Sequence, residues 1–143
     1  MISRKIVKTA IGLLKDGWVQ GELVERDDDG GEKYCLMGAL SAAYRLENNL
    51  SKYNSMKHTS STVLKKNKLL TLALGRTLCA IHKKDNFLDE DLVENISSAR
   101  NCKAGEVESA VISFNDESAT EKKDVLNLLK KVDKTLAKIE KNG

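Results

Sequence analysis

Proline is absent from the chain, and aromatic residues make up only 4% of it. The first absence removes the residue that most often breaks a helix or stiffens a turn. The second leaves too few Tyr, Phe and Trp side chains for the strands of a sandwich or barrel. Cysteine is scarce as well: Cys35, Cys79 and Cys102 are an odd number with no C-x-x-C pair, so neither a disulfide framework nor a zinc knuckle is indicated. His58 and His82 do not stand in H-x-x-x-H spacing, and no metal is expected. No apolar run approaches the roughly 20 residues that cross a bilayer, so no membrane partner is expected. Lys8 and Lys15 interrupt the apolar residues after Met1-Ile2-Ser3-Arg4-Lys5, which is not a secretory pattern, and a cytoplasmic location is expected. A glycine-rich phosphate loop, a G-x-S-x-G elbow and a dinucleotide fingerprint are all missing, so no cofactor is expected. Nor is there a repeat on the order of 20 to 50 residues, which sets a solenoid aside.

What remains is an aliphatic chain at helical spacing. With 143 residues and 41% hydrophobic content, one core is affordable, and a single helical domain over residues 1–143 is expected. Ile2, Ile6, Ala10, Leu13 and Leu14 predict an amphipathic helix over residues 2–15, ended by Gly17. Residues 18–26 are β-prone and run into the acidic turn 27–31, predicting a short hairpin or extended arm near residues 19–33. The small and apolar residues from Tyr34 to Glu47 predict a central helix buried on most of its circumference. Residues 48–61 read as a polar surface loop. Thr62 opens a long helix to about Lys84, carried by Val63, Leu69, Leu70, Leu72, Ala73, Leu74, Leu78 and Ile81.

Asp89 is a plausible N-cap for a short helix carrying Leu92, Val93 and Ile96 and ending near Arg100-Asn101. Another follows with Val107, Ala110, Val111 and Phe114. Ser118-Ala119-Thr120-Glu121 matches a capping box, after which Val125, Leu128, Leu129, Val132, Leu136 and Ile139 define a C-terminal amphipathic helix to about residue 140. The expected fold is all-α or nearly so: a compact irregular bundle of about five to six helices with the one hairpin or arm.

Few of these residues point to chemistry. Glu25, Asp27, Asp29 and Gly30 fall near EF-hand positions, but Leu36 stands where the loop needs a bidentate carboxylate, so a solvated turn is the better reading. Cys35 opens the small-residue helix, and a helix N-terminus can lower a thiol pKa, which makes a nucleophile paired with His82 and Asn115 or Asp116 conceivable. A cysteine beside Leu36, Met37 and Ala39 is more often an inert core residue. Lysines at 65, 66, 68, 83, 84, 122, 123, 130, 131, 134 and 138 offer phosphate contacts, yet the net charge is only +3 and acidic residues interleave with them. A solvated face explains them better than nucleic-acid binding.

Gly17-Trp18-x-x-Gly21, Tyr34-Cys35-Leu36-x-Gly38-Ala39-Leu40, and Phe114-Asn115-Asp116 followed by Thr120 and Val125-Leu126 together resemble a family of small proteins of unknown function from actinobacteria and their phages. In that family the pattern runs W-x-x-G, C-x-x-G-A-L and W-N-D before a final helix. Here Phe114 stands for the second tryptophan, residues 48–105 are unmatched, and the lysine-rich composition suits a low-GC host or its phage. The resemblance implies a fold and no activity. It makes Trp18, Cys35, Asn115 and Asp116 a candidate joint ligand-binding site, against a structural reading in which Trp18 plugs the core, Gly21 permits a turn, Cys35 packs and Asn115-Asp116 ends a helix.

The expectation is a non-enzymatic interaction or ligand-binding protein, phage or mobile-element encoded, whose partner is a protein or small ligand. Two alternatives stand beside it: a cysteine-dependent or hydrolytic enzyme centred on Cys35, Asn115 and Asp116, and a weak nucleic-acid binder using lysine-rich faces. A homo-oligomer formed through the C-terminal helix is the further partner considered.

Overall fold

In the computed structural model the backbone is described for residues 1–22, 24–26, 28–29, 31–49, 60–98 and 103–142. Expectations for Asp27 and Gly30 in the acidic turn, most of the 48–61 loop with His58, the helix end near Arg100-Asn101, and Cys102 lie outside the described residues.

The apolar stripe of the first segment forms helix α1 (Ile2–Asp16), which buries Ile6, Val7, Ala10 and Leu14. Gly17 follows in an extended conformation and is needed there for space: a Cβ would meet Lys33 Cγ at 2.7 Å and the Glu32 carbonyl oxygen at 3.3 Å. Strands β1 (Val24–Arg26) and β2 (Glu32–Tyr34) pair antiparallel, with Val24 opposite Tyr34 and Arg26 opposite Glu32. The backbone around Trp18 lies along the other side of Tyr34, where Val19 N–H donates to the Tyr34 carbonyl (3.1 Å) and Tyr34 N–H to that of Gly17 (3.1 Å). The hairpin is therefore held at its base.

Helix α2 (Leu36–Glu47) buries nine consecutive residues, Leu36 to Tyr44, as its run of Gly, Ala and Ser allows neighbours to approach on all sides. It packs against α1, α3 and α6. Helices α3 (Ser60–Lys66), α4 (Lys68–Asp85), α5 (Glu90–Ser98), α6 (Ala104–Ser113) and α7 (Lys122–Asn142) complete the bundle, with a π-helical turn at Phe114–Ser118 closing α6. The fold is mostly α with one short hairpin, as the periodicity predicts. Among the described residues there is no helix long and apolar enough to cross a membrane.

Two sequence expectations are corrected. The single helix expected from Thr62 to Lys84 is two, which takes the count among the described residues to seven α-helices. Asn67 turns inward and donates its side-chain N–H to the Val63 carbonyl (2.7 Å), while the Thr71 hydroxyl donates to the Leu64 carbonyl (2.6 Å). Side chains thereby satisfy carbonyls that the helix backbone would otherwise take, and the helix breaks. Leu69, counted on the uninterrupted stripe, is exposed.

The second correction concerns the start of α7. The cap is not the Ser118/Glu121 box. Asp124 Oδ2 accepts from the backbone N–H of Thr120 (2.9 Å) and Glu121 (3.0 Å) and from the Thr120 hydroxyl (3.2 Å). Glu121 thus supplies a backbone donor, and the carboxylate one turn later does the capping.

These bonds, the Thr120 N–H first, hold the Asp124 carboxyl below its ordinary range, partly offset by burial. A depressed folded value means the stabilisation is complete above the unfolded carboxylate value of about 3.9 and is lost as pH falls through the folded one. Asp124→Ala is expected to cost about 0.5 to 1 kcal/mol at pH 7. The gap between parent and variant in urea titrations should close in strong acid; a gap constant to the lowest pH would remove the carboxylate from the explanation.

Helix α7 lies against α1 and α4. Val125, Leu128, Leu129, Val132 and Leu136 are buried along it, whereas Ile139, the last residue of the predicted stripe, is half-buried. Arg4 binds Asp133 (2.9 Å) and Glu140 (3.3 Å), and Lys122 Nζ donates to the Lys15 carbonyl (2.8 Å), so α1 and α7 are joined at both ends by polar contacts.

Candidate functional site

The motifs that stand far apart in the chain meet at one side chain. The π turn, in which Ala119 N–H reaches back five residues to the Phe114 carbonyl (2.8 Å), directs Asn115 inward, where it is 1% exposed, while Asp116 and Glu117 remain exposed. Asn115 Oδ1 accepts from the Trp18 indole N–H (2.7 Å) and from Leu36 N–H (2.9 Å). Its Nδ2 donates to the Val19 carbonyl (3.3 Å) and to Asp116 Oδ1 (2.9 Å). A primary amide has two acceptor sites and two donors, and all four are used. Leu36 is the first residue of α2, so one of the helix's unpaired N–H groups finds its acceptor here.

The surrounding residues complete the clasp. Asp116 Oδ1 also accepts from Gly21 N–H (2.9 Å), and Gly21 reaches it at φ +83°, a conformation that favours glycine. Gln20 Nε2 donates to the carbonyls of Asn115 (3.0 Å) and Ala119 (2.9 Å). Trp18, Cys35, Asn115 and Asp116 are thus brought into one neighbourhood. The geometry answers what three of them do there: they lock the base of the hairpin onto the π turn and the start of α2.

Cys35 is the N-cap of α2, with Sγ accepting from Gly38 N–H at 3.2 Å, and it is buried. Burial pushes the thiol pKa up, offset in part by the N–H groups of Gly38 and Met37. That is the reverse of a reactive cysteine's environment. His82, considered as its base, is committed elsewhere: Nδ1 accepts from Leu88 N–H (3.0 Å), so Nε2 carries the proton and donates to Glu90 (3.1 Å). With Cys79 and Cys102 replaced by serine, Cys35 is expected to react with iodoacetamide at pH 7 at least about tenfold more slowly than in the urea-unfolded chain. Equal rates would show that the thiol is not shielded, and only a reaction faster than that of the unfolded chain would restore the nucleophile.

Other residues of the π turn, Phe114, Glu117 and Ser118, line a cleft of about 720 Å³ together with Ile81, Asp85, Asn86 and Phe87 at and after the end of α4 and Thr120, Asp124, Asn127, Leu128 and Lys131 around α7. Phe114 and Leu128 are buried in its floor, and Ile81 and Phe87 are half-buried beside them. Phe87 packs edge-on between Phe114 and His82, with ring centroids 5.7 and 5.9 Å away. Among the described residues no group of three or more His, Cys, Asp or Glu side chains is arranged to hold a metal ion.

Sequence reasoning missed this cleft. Its walls come from three separate segments, and only Phe114, beside the N-D pair, carried any signal.

Fold and site together define a mostly α protein in which a small antiparallel hairpin is docked on a π turn. The sequence profile of DUF6197, a family of unknown function, matches residues 4–134, and the chain belongs to that family. No curated protein and no solved structure matches the chain significantly.

Proposed function

We propose that this protein is a small non-enzymatic binding protein that holds an organic ligand in the cleft between the end of α4, the π turn and the first turns of α7. The cleft itself carries the reading. Its volume of about 720 Å³ falls in the range of small-molecule sites, roughly 300 to 1,000 Å³, and its lining sets four apolar residues, Ile81, Phe87, Phe114 and Leu128, among eight polar ones that could hydrogen-bond a ligand. One wall is a π turn, a geometry that recurs at functional positions. In this reading Trp18, Asn115 and Asp116 are scaffold: they hold the wall from behind and do not touch the ligand.

The finer kinship is with the small proteins of actinobacteria and their phages that share the W-x-x-G, C-x-x-G-A-L and W-N-D pattern. This lysine-rich chain fits a low-GC host or its phage, where a mobile-element accessory factor would engage a host molecule through such a site. Titration of the isotope-labelled protein with a library of small fragments, followed by amide NMR, tests the site. Hits are expected to move the signals of Phe87, Glu117, Ser118 and Thr120. Hits confined to other surfaces, or none at all, would overturn the reading.

A further inference from the structure

The charge around the cleft narrows the ligand, on the assumption that the cleft is the binding site. Asp85, Glu117 and Asp124 line it against one ammonium, Lys131. Asp85 is the last residue of α4, whose cap Asn86 is left-handed and donates its N–H to the His82 carbonyl (2.8 Å). The terminal carbonyls there carry the negative end of the helix dipole. Glu117 lies in the turn that closes α6, a second negative end on the same rim. The positive end of α7 also borders the cleft, and the Asp124 carboxylate already sits in its first turn, accepting from the Thr120 and Glu121 N–H groups just before the helix. The surplus is negative.

Below this rim lie the rings of Phe87 and Phe114 with Ile81 and Leu128. Aromatic faces attract cations and the hydrocarbon floor takes an apolar body. An anion placed there would meet two carboxylates and two helix C-termini, and a neutral ligand would leave that field unused. We propose that the cleft selects small primary amines carrying an aromatic or aliphatic body. Asp85 and Glu117 are exposed, so the selectivity should weaken as salt rises.

Three probes of one shape decide it: phenethylamine, 2-phenylethanol and 3-phenylpropionate, titrated into the intact protein by calorimetry and amide NMR. The amine is expected to bind about tenfold tighter than the alcohol, with the carboxylate weakest. Glu117→Gln removes one of the two carboxylates not engaged in capping α7 and should reduce that advantage several-fold. If the alcohol or carboxylate binds as tightly as the amine at the cleft signals, or if Glu117→Gln leaves the amine's advantage intact, the charge assignment is wrong while the binding site stands. If none of the three moves the cleft signals while other fragments do, the amine proposal falls and the binding site stands; if no fragment does, both fall.

Discussion

Ending the chain after Ser118 is expected to abolish its cooperative unfolding transition. Helix α7 buries Val125, Leu128, Leu129, Val132 and Leu136, none more than 1% exposed, in the core it shares with α1 and α4. Full burial of a large aliphatic side chain contributes about 1.5 to 3 kcal/mol, or about 7 to 15 kcal/mol for these residues together. Typical domains are stable by only about 5 to 15 kcal/mol. Compact unfolded chains already hide part of this surface, which lowers the first figure without changing the comparison. The stripe is covered within the single chain, so little of it remains for pairing between copies. Circular dichroism in urea, with sedimentation velocity, checks the prediction: a shortened chain that unfolds cooperatively and sediments as a monomer would mean that the core does not depend on α7.

Asn115→Ala is expected to cost about 3 kcal/mol and to shift Trp18 emission to longer wavelength. The substitution leaves Leu36 N–H inside the protein without its acceptor and strips the indole N–H of its partner. A buried donor left unpaired costs about 1 to 3 kcal/mol, and the lost bonds to Val19 and Asp116 add to it. Asn115→Asp keeps both accepted bonds, loses both donated ones and sets a second carboxylate against Asp116. It too should destabilise, with Trp18 emission closer to the parent. Urea midpoints followed by the single tryptophan measure both, and an unchanged midpoint in the alanine variant would show that the clasp contributes nothing to stability.

The elements legible in the sequence were those whose cause is periodic. The stripes of α1 and α7 and the small-residue run of α2 each announce a buried face, and Asp89 signals its helix through a local bond that Asp91 N–H donates to its side chain. The break at Asn67 was not legible. It depends on Asn67 and Thr71 turning back onto carbonyls, which the same residues in an ordinary helix need not do. The cap of α7 was displaced for a similar reason: Ser118 and Glu121 have the right spacing, but the π turn occupies residues to Ser118 and leaves Asp124 in place to cap.

At the site, the motifs named Trp18, Cys35, Asn115 and Asp116, which the fold brings into one neighbourhood. They could not reveal that the Asn115 amide is saturated or that the cysteine is shielded, because both follow from long-range packing. The cleft was hidden for the same reason. Asp85, Glu117 and Lys131 are unremarkable surface charges until the chain brings them together.

The clasp at Asn115 also bears on the order in which the chain assembles. It joins residues 97 and 79 positions apart, Trp18 to Asn115 and Leu36 to Asn115, so it closes only after most of the intervening chain has found its place. Contacts of such separation repay their loop-closure entropy late. Interactions that form after the rate-limiting step act mainly on escape from the native state. The hairpin base is therefore expected to act as a closing latch: Asn115→Ala should speed unfolding more than it slows folding, and a chevron plot in which the folding arm carries the change would overturn this.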